Sequence, residues 1–320
     1  MTLFKRTLMN LLHLGALMCA VSAQAAYPLV VEHGQGKLTL DQAPTRVAVF
    51  DLGVLDTLDA LGIAAAGVPQ MAGPAYLKAK YEGRKTVNVG TLFEPDQAAL
   101  ERLKPDLIII AGRSSNQFET LSALAPTIDL SIAPDHFLAG VRGNLQLLGE
   151  IFDKQEQAAQ LQAQLNKELA AVHAKSAGLS SLTLFTVNDA LMLHAPGERF
   201  GMLNEVLDTR SVVESVDPAS VAQGRPAPDS PEARQLRERQ QVRLDAALKE
   251  QPQWLVILDR GAATGGEGKA DETLGKHAGI AASKAWADGK VFYLDPATWY
   301  IATGGYQGLM STLKDFAAAQ

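Results

Sequence analysis

Asp106-Leu-Ile-Ile-Ile-Ala111 is the strongest strand signal in the chain, an apolar run with three consecutive isoleucines that ends at Gly112. Upstream, Arg46-Val-Ala-Val-Phe-Asp51 reads as another buried strand, and it runs straight into Leu52, Leu55, Leu58 and Leu61 at helical spacing. Residues 63–68 and 86–89 read as two further strands, residues 96–103 as a helix entered through Pro95, and residues 127–132 as a weaker strand. Strand–helix alternation of this kind implies a parallel, doubly wound α/β sheet.

Downstream, a helical pattern runs from about Val141 to Lys175, with apolar Leu145, Leu147, Leu148, Ile151, Phe152, Leu161, Leu165 and Leu169. Its second half is rich in Gln, Ala, Glu and Lys, all good helix formers. The strand–helix alternation then resumes. Residues 182–187 read as a strand that pairs with 191–194 through a turn at Asn188-Asp189, and 200–207 as a helix. Residues 254–259 and 291–294 are strands, and 305–318 is a closing helix. A loop rich in Pro, Ala and Ser covers 217–230, and Pro231 opens a charged helix with Arg234, Arg237, Arg239 and Arg243. The helix at 141–176 therefore stands between two similar halves, which marks it as a rigid connector. The expected organisation is two doubly wound α/β lobes, at 26–140 and 177–320, joined by that single long helix.

The first 25 residues read as a cleaved signal peptide. Lys5 and Arg6 precede an apolar stretch from Leu8 to Val21, and Ala23-Gln24-Ala25 supplies a small-x-small cleavage pattern. The stretch is too short for a transmembrane helix, which needs about 20 apolar residues. Cys19 is the chain's one cysteine and leaves with this segment, so a disulfide scaffold, a cysteine metal cluster and a thiol nucleophile are all excluded. About 295 residues remain, enough for two domains with cores of their own. Losing Lys5 and Arg6, with no acid, takes the net charge of −6 to −8. A nucleic-acid partner is disfavoured on that balance, because phosphate neutralisation needs a basic surface. An anionic ligand needs a local cluster of arginines instead.

Three arginines stand where open α/β sheets bind ligands, beyond the C-terminal ends of strands. Arg113 lies two residues past Ala111, and Arg260 directly follows the strand that ends at Asp259. Arg199 lies in Pro196-Gly-Glu-Arg-Phe-Gly201, a loop leading into a helix. A guanidinium is a planar, permanently charged fork of donors that suits catecholate or carboxylate oxygens. Trp299-Tyr300 follows the last strand, and a tyrosine there offers a phenolate oxygen, a hard ligand for Fe(III).

On these marks the chain resembles the periplasmic ferric siderophore-binding proteins of catecholate type, in the helix-linked class of ABC-transporter solute-binding proteins. The likeness covers essentially the whole mature chain. It is carried by Gly90-Thr-Leu-Phe-Glu-Pro95, Lys104-Pro-Asp-Leu-Ile-Ile-Ile-Ala-Gly-Arg113, Gly197-Glu-Arg-Phe-Gly201, Leu258-Asp-Arg260, Gly289-Lys-Val-Phe-Tyr-Leu-Asp295 and Trp299-Tyr300 before a glycine pair. The resemblance implies a ligand cleft between the lobes, with Arg113, Arg199 and Arg260 offsetting a trianionic ferric catecholate. It implies that Tyr300 can coordinate iron, with Trp299 beside it at the ligand. It also implies docking acids for an inner-membrane ABC permease, matched by Glu94 on the first lobe and Asp245 on the second. The resemblance further implies a periplasmic monomer that is not an enzyme, with the ferric siderophore as its ligand and no permanently bound cofactor.

One departure stands out. The family often places a histidine beside that tyrosine, but no histidine lies between Arg199 and Arg260. The aligned positions are Val221-Ala-Gln-Gly224 or Glu238-Arg-Gln240, and His33, His136, His173, His194 and His277 match nothing. Recognition of an already complete, hexadentate-type complex is therefore the easier reading, with Gln223 and Glu238 the first candidates for a replacement ligand. A haem or corrinoid receptor of the same architecture remains the alternative. A divalent-metal receptor is disfavoured by scattered His, Asp and Glu. A periplasmic hydrolase is disfavoured because the chain has no Gly-x-Ser-x-Gly, no His-Glu-x-x-His and no phosphate loop.

Overall fold

The ladder through the Ile108–Ile110 run sits beside the centre of the first sheet in the computed structural model, which describes residues 27–320 except 71, 84, 188–189, 218–226 and 228. The signal segment with Cys19, the Asn188-Asp189 turn, and Gln223 with the rest of 221–224 lie outside the described residues.

The described chain opens with an antiparallel hairpin, β1 (Leu29–His33) and β2 (Gly36–Leu40), which the sequence reading had not anticipated. There follow β3 (Val47–Val49), α1 (Leu52–Ala60), β4 (Gly67–Val68), α2 (Ala75–Tyr81), β5 (Val87–Asn88), α3 (Gln97–Leu103) and β6 (Leu107–Ile110). A 3₁₀ turn (Gly112–Gln117), α4 (Phe118–Ser122) and β7 (Thr127–Asp129) complete this half. The sheet is parallel throughout, in the order β5-β4-β3-β6-β7. Several strands are shorter than their apolar runs. The run at 63–68 pairs only at its end, because the Ile63 amide instead donates to Leu58 O at 2.9 Å and closes the exit of α1.

The bounds of the connector at 141–176 are a correction: that stretch holds two helices, α5 (Phe137–Ile151) and α6 (Gln155–Ser176). Asp153 turns left-handed at φ 55, and Lys154 N donates back to Gly149 O at 2.7 Å, a helix-ending hydrogen-bond pattern. Gly149 lets the two helices cross closely, since a Cβ there would lie 2.6 Å from that of Ala158. The passage from one sheet to the other is made by α6.

The second half contains β8 (Ser180–Val187), β9 (Ala190–Leu193), α7 (Leu203–Leu207), β10 (Arg210–Ser211), α8 (Pro231–Lys249) and β11 (Trp254–Asp259). Then come α9 (Arg260–Ala263), α10 (Ala270–Lys276), α11 (Ala278–Ala281), α12 (Lys284–Ala287), β12 (Val291–Tyr293), a π-helical turn (Ala297–Ile301) and α13 (Tyr306–Ala319). Its strands run in the order β10-β8-β11-β12 in parallel, with β9 antiparallel on β8 as expected. After Arg260 the chain makes one helical turn, α9, and then a loop over 264–269, with the Asp259 carboxylate capping α9 and also accepting from Lys269 N and Ala270 N.

Both sheets have a topological switch point, where successive crossovers leave in opposite directions. In the first it lies between β3 and β6, and in the second between β8 and β11. One contiguous apolar core joins the two halves, running from the first sheet through α5 and α6 to Trp254, Phe292 and Phe316 on the second.

Candidate functional site

The four principal site residues come together around one side chain. The guanidinium carbons of Arg113, Arg260 and Arg199 stand 5.1, 5.5 and 5.9 Å from the centroid of the Tyr300 ring. Arg113 and Arg260 arrive from the ends of β6 and β11, one strand of each switch point. Arg199 arrives from the loop between β9 and α7. Tyr300 sits on the π-helical turn, a rare backbone form that recurs at functional sites. Among the described residues, none of the three arginines has an acidic partner in an ion pair, so their charge is left for something else.

Each is held in place. Arg260 Nε donates to the Tyr300 hydroxyl at 2.8 Å. Arg113 reaches across to the other half and donates to the main-chain carbonyls of Tyr300 and, at 3.4 Å, Ile301. Arg199 lies over the Phe200 ring at 4.8 Å, and Phe200 stacks on Tyr300 at 6.1 Å. The loop carrying Arg199 needs Gly197, which has φ +90 and would place a Cβ 1.9 Å from Val216 O. Glu198 closes that loop by accepting from Ala195 N at 2.9 Å. It also pairs with Arg243 of α8 at 3.2 Å, and lies 3.6 Å from His194 Nδ1.

Electrostatics follow from the crowding. Desolvation in the cleft, and then the nearby charge of Arg113, lower the pKa of Arg199 to about 10, which still leaves it cationic at neutral pH. For Tyr300, desolvation opposes ionisation, but the Arg260 hydrogen bond and the charges of Arg260, Arg113 and Arg199 outweigh it. The phenol is therefore more acidic than usual, which favours a phenolate donor. Arg113 and Arg199 face a cavity of about 620 Å³ walled by Val54, Ile132, Phe137, Leu148 and Met202, a size typical of small-molecule sites.

Trp299 is a correction. It is 2% exposed, its indole N–H donates to Thr312 Oγ1 at 2.7 Å, and its ring packs toward Phe137, so it belongs to the core beneath Tyr300 and is not open to the cleft. Neighbours in sequence on a helical turn point different ways, and here Tyr300 takes the cleft and Trp299 the core. Trp254 is buried at the far end of β11 against Phe316, away from the cleft. Glu94 and Asp245 are both exposed, on the 90–95 turn and on α8, well outside the arginine cluster. Glu238 is exposed on α8. Among the described residues no cluster of three His, Cys, Asp or Glu could hold a metal ion.

Two contributors escaped the sequence reading. Glu198 lies inside the quoted loop, but its role as a clasp depends on Arg243 from 45 residues away. Asp51 lines the cavity as the N-cap of α1, two residues past β3; the run 46–51 counts it as the end of a strand, and its position before a helix is the signal for the cap.

Comparison with known proteins agrees over most of the chain. A family profile described as "Periplasmic binding protein" matches residues 47–298. The petrobactin-binding protein YclQ of Bacillus subtilis is 30% identical over 276 residues, 85% of this chain and 81% of YclQ. The ferric-anguibactin-binding protein FatB of Vibrio anguillarum is 28% identical over 295 residues, covering 90% and 86%. The solved structure of the periplasmic catecholate-siderophore binding protein VctP of Vibrio cholerae has a TM-score of 0.75 at 27% identity, over 91% of this chain and 99% of VctP.

Proposed function

The chain belongs to the periplasmic binding protein family, and from that premise we propose that it captures an anionic ferric catecholate siderophore between its two sheets and delivers it to an inner-membrane ABC permease. The observation that carries this reading is the cluster of three unpaired arginines around Tyr300, drawn from both halves of the molecule. Guanidinium forks match the paired oxygens of a catecholate, and three charges offset a trianion. The ligand is bound without turnover. Relatives named for petrobactin, anguibactin and catecholate siderophores point to the same ligand class.

The protein works in the periplasm as a monomer, after removal of residues 1–25. No described helix is long and apolar enough to cross a membrane. Glu94 and Asp245 are the docking acids for the permease, one on each half, and both are open to solvent. With no histidine at the family position, a hexadentate ferric catecholate is preferred over a tetradentate one, because it needs no protein ligand to complete the iron.

The test is a titration of the mature protein with a hexadentate ferric tris-catecholate, a tetradentate ferric catecholate, haem and cobalamin, followed by tryptophan quenching and ligand absorbance. Trp299, one layer beneath Tyr300, is the reporter. Expected are tight binding of the hexadentate complex and little effect of Tyr300→Phe on it. Binding of haem or cobalamin alone would overturn the ligand class. Tighter binding of the tetradentate complex, with a tyrosinate-to-iron absorption band lost in Tyr300→Phe, would overturn the denticity preference.

A further inference from the structure

Among the described residues lining the cavity, Asp51 is the only acid, and a basket for anions has no evident use for one. We propose that Asp51 is a ligand-facing specificity residue, which favours a ferric siderophore carrying an ammonium or amide N–H arm over a bare tris-catecholate trianion. This deepens the siderophore reading and rests on it.

Position is the first ground. Asp51 lies two residues past β3 and Arg113 follows β6, the two adjacent strands of the first switch point, so both stand at the end of the sheet where such folds bind ligands, and both line the cavity. Asp51 Oδ2 lies close to Gly112, 3.9 Å from where a Cβ would be, and so beside the residue that precedes Arg113.

Charge is the second. The groups facing Asp51 are Arg113, on the turn after β6, and Arg199, on the loop after β9. Neither lies within ion-pair distance among the described residues, yet the charges of both favour its ionised form. Its structural duty is to cap α1, with Oδ1 accepting from Val54 N at 2.9 Å. Ser or Asn would serve that duty equally well without a charge. An ionised carboxylate reduces the cleft from three positive charges to two, which works against a trianion. It also places an acceptor where a donor arm of the ligand can meet it. Burial raises the Asp51 pKa to about 6, so the carboxylate is mostly ionised at neutral pH and mostly protonated well below it. The inference agrees with a hexadentate preference, since a hexadentate siderophore can carry amines in its arms.

The experiment compares the parent with Asp51→Asn, which keeps the helix cap, using two hexadentate ferric probes: a plain tris-catecholate, and a tris-catecholate that carries protonated amine arms. Asp51→Ser, a second capping variant, guards against misfolding, and thermal melts confirm that each protein is folded. In the variants, affinity for the plain tris-catecholate should rise roughly tenfold while that for the amine-bearing complex stays level or falls. Lowering the pH from about 7.5 to about 5.5 should strengthen plain tris-catecholate binding by the parent relative to the variants, because protonation removes the same charge. A ratio of the two affinities within about twofold of the parent's would reduce Asp51 to a helix cap and overturn the proposal. Failure of the parent to bind either complex would instead overturn the siderophore reading, and this inference with it.

Discussion

Arg113, Arg199 and Arg260 are equal in charge but unequal in what they give up to meet a ligand. Arg113 already donates to the carbonyls of Tyr300 and Ile301, so a bound anion has to replace hydrogen bonds rather than only add them. Arg260 holds the Tyr300 hydroxyl, and Arg199 lies over ring faces with no hydrogen bond to give up among the described residues. Replacing each by alanine should therefore weaken binding of a ferric catecholate by roughly 1–3 kcal/mol, with Arg199 the most costly and Arg113 the least. Lysine at the same positions should recover part of the loss, because it restores charge but not the planar fork. Isothermal titration of the six variants checks this, and six affinities equal to the parent's would place the ligand elsewhere. Such a series separates the charge of the basket from its geometry.

At the scale of elements, α8 has a duty that its composition hides. Four arginines along 231–243 read as a solvated charged helix, and Arg234, Arg237 and Arg239 are indeed exposed. Arg243 instead pairs with Glu198, and Gln240 accepts from Leu193 N at 3.3 Å, so the helix is stitched to the segment that presents Arg199. Glu198→Ala removes the acceptor for both Arg243 and Ala195 N. It should cost roughly 1–3 kcal/mol in stability, read by chemical denaturation, and several-fold in ligand affinity through a looser Arg199. Arg239→Ala, on the exposed face, is the control and should change neither. An effect on stability with no change in affinity would show that the loop holds its shape without the clasp.

At the scale of the molecule, the two halves are tied together beside the cleft by a buried acid. Asp56 of α1 is fully buried and accepts from the amides of Gln307 (2.6 Å) and Gly308 (3.1 Å) at the start of α13, and from the Tyr76 hydroxyl. A carboxylate at a helix N-terminus is favoured by both the free amides and the dipole. Here the helix it caps packs its Phe316 on the second sheet, so one side chain of the first half fixes the position of the other. Asp56→Ala leaves these donors buried without an acceptor and should lower stability by roughly 2–4 kcal/mol, measured by urea unfolding. Ligand affinity should fall as well, because the cleft residues 297–301 directly precede α13. A variant as stable as the parent would mean that apolar packing alone holds the halves together.

Periodicity and strand-end position determined the α/β class and the two largely parallel sheets, and they singled out the three arginines and Tyr300 as candidates, to which the family resemblance gave roles. Those signals are local: an apolar run such as 107–110 has to be a buried strand, and the residue after a parallel strand has to emerge at the ligand end of the sheet. What only the tertiary structure decided depends on partners far away in the chain. Leu145 to Phe152 and Leu161 to Leu169 each keep helical spacing, and the break between them is made by Asp153 in a left-handed turn closed by the Lys154–Gly149 hydrogen bond, which belongs to the folded backbone. Trp299 and Tyr300 carry adjacent aromatic rings, and only the packing of α13 against the π-helical turn sends one inward and the other to the cleft. Asp51, Asp56 and Glu198 look like ordinary surface acids in sequence, because burial and hydrogen-bond partners belong to the assembled fold and not to the residue.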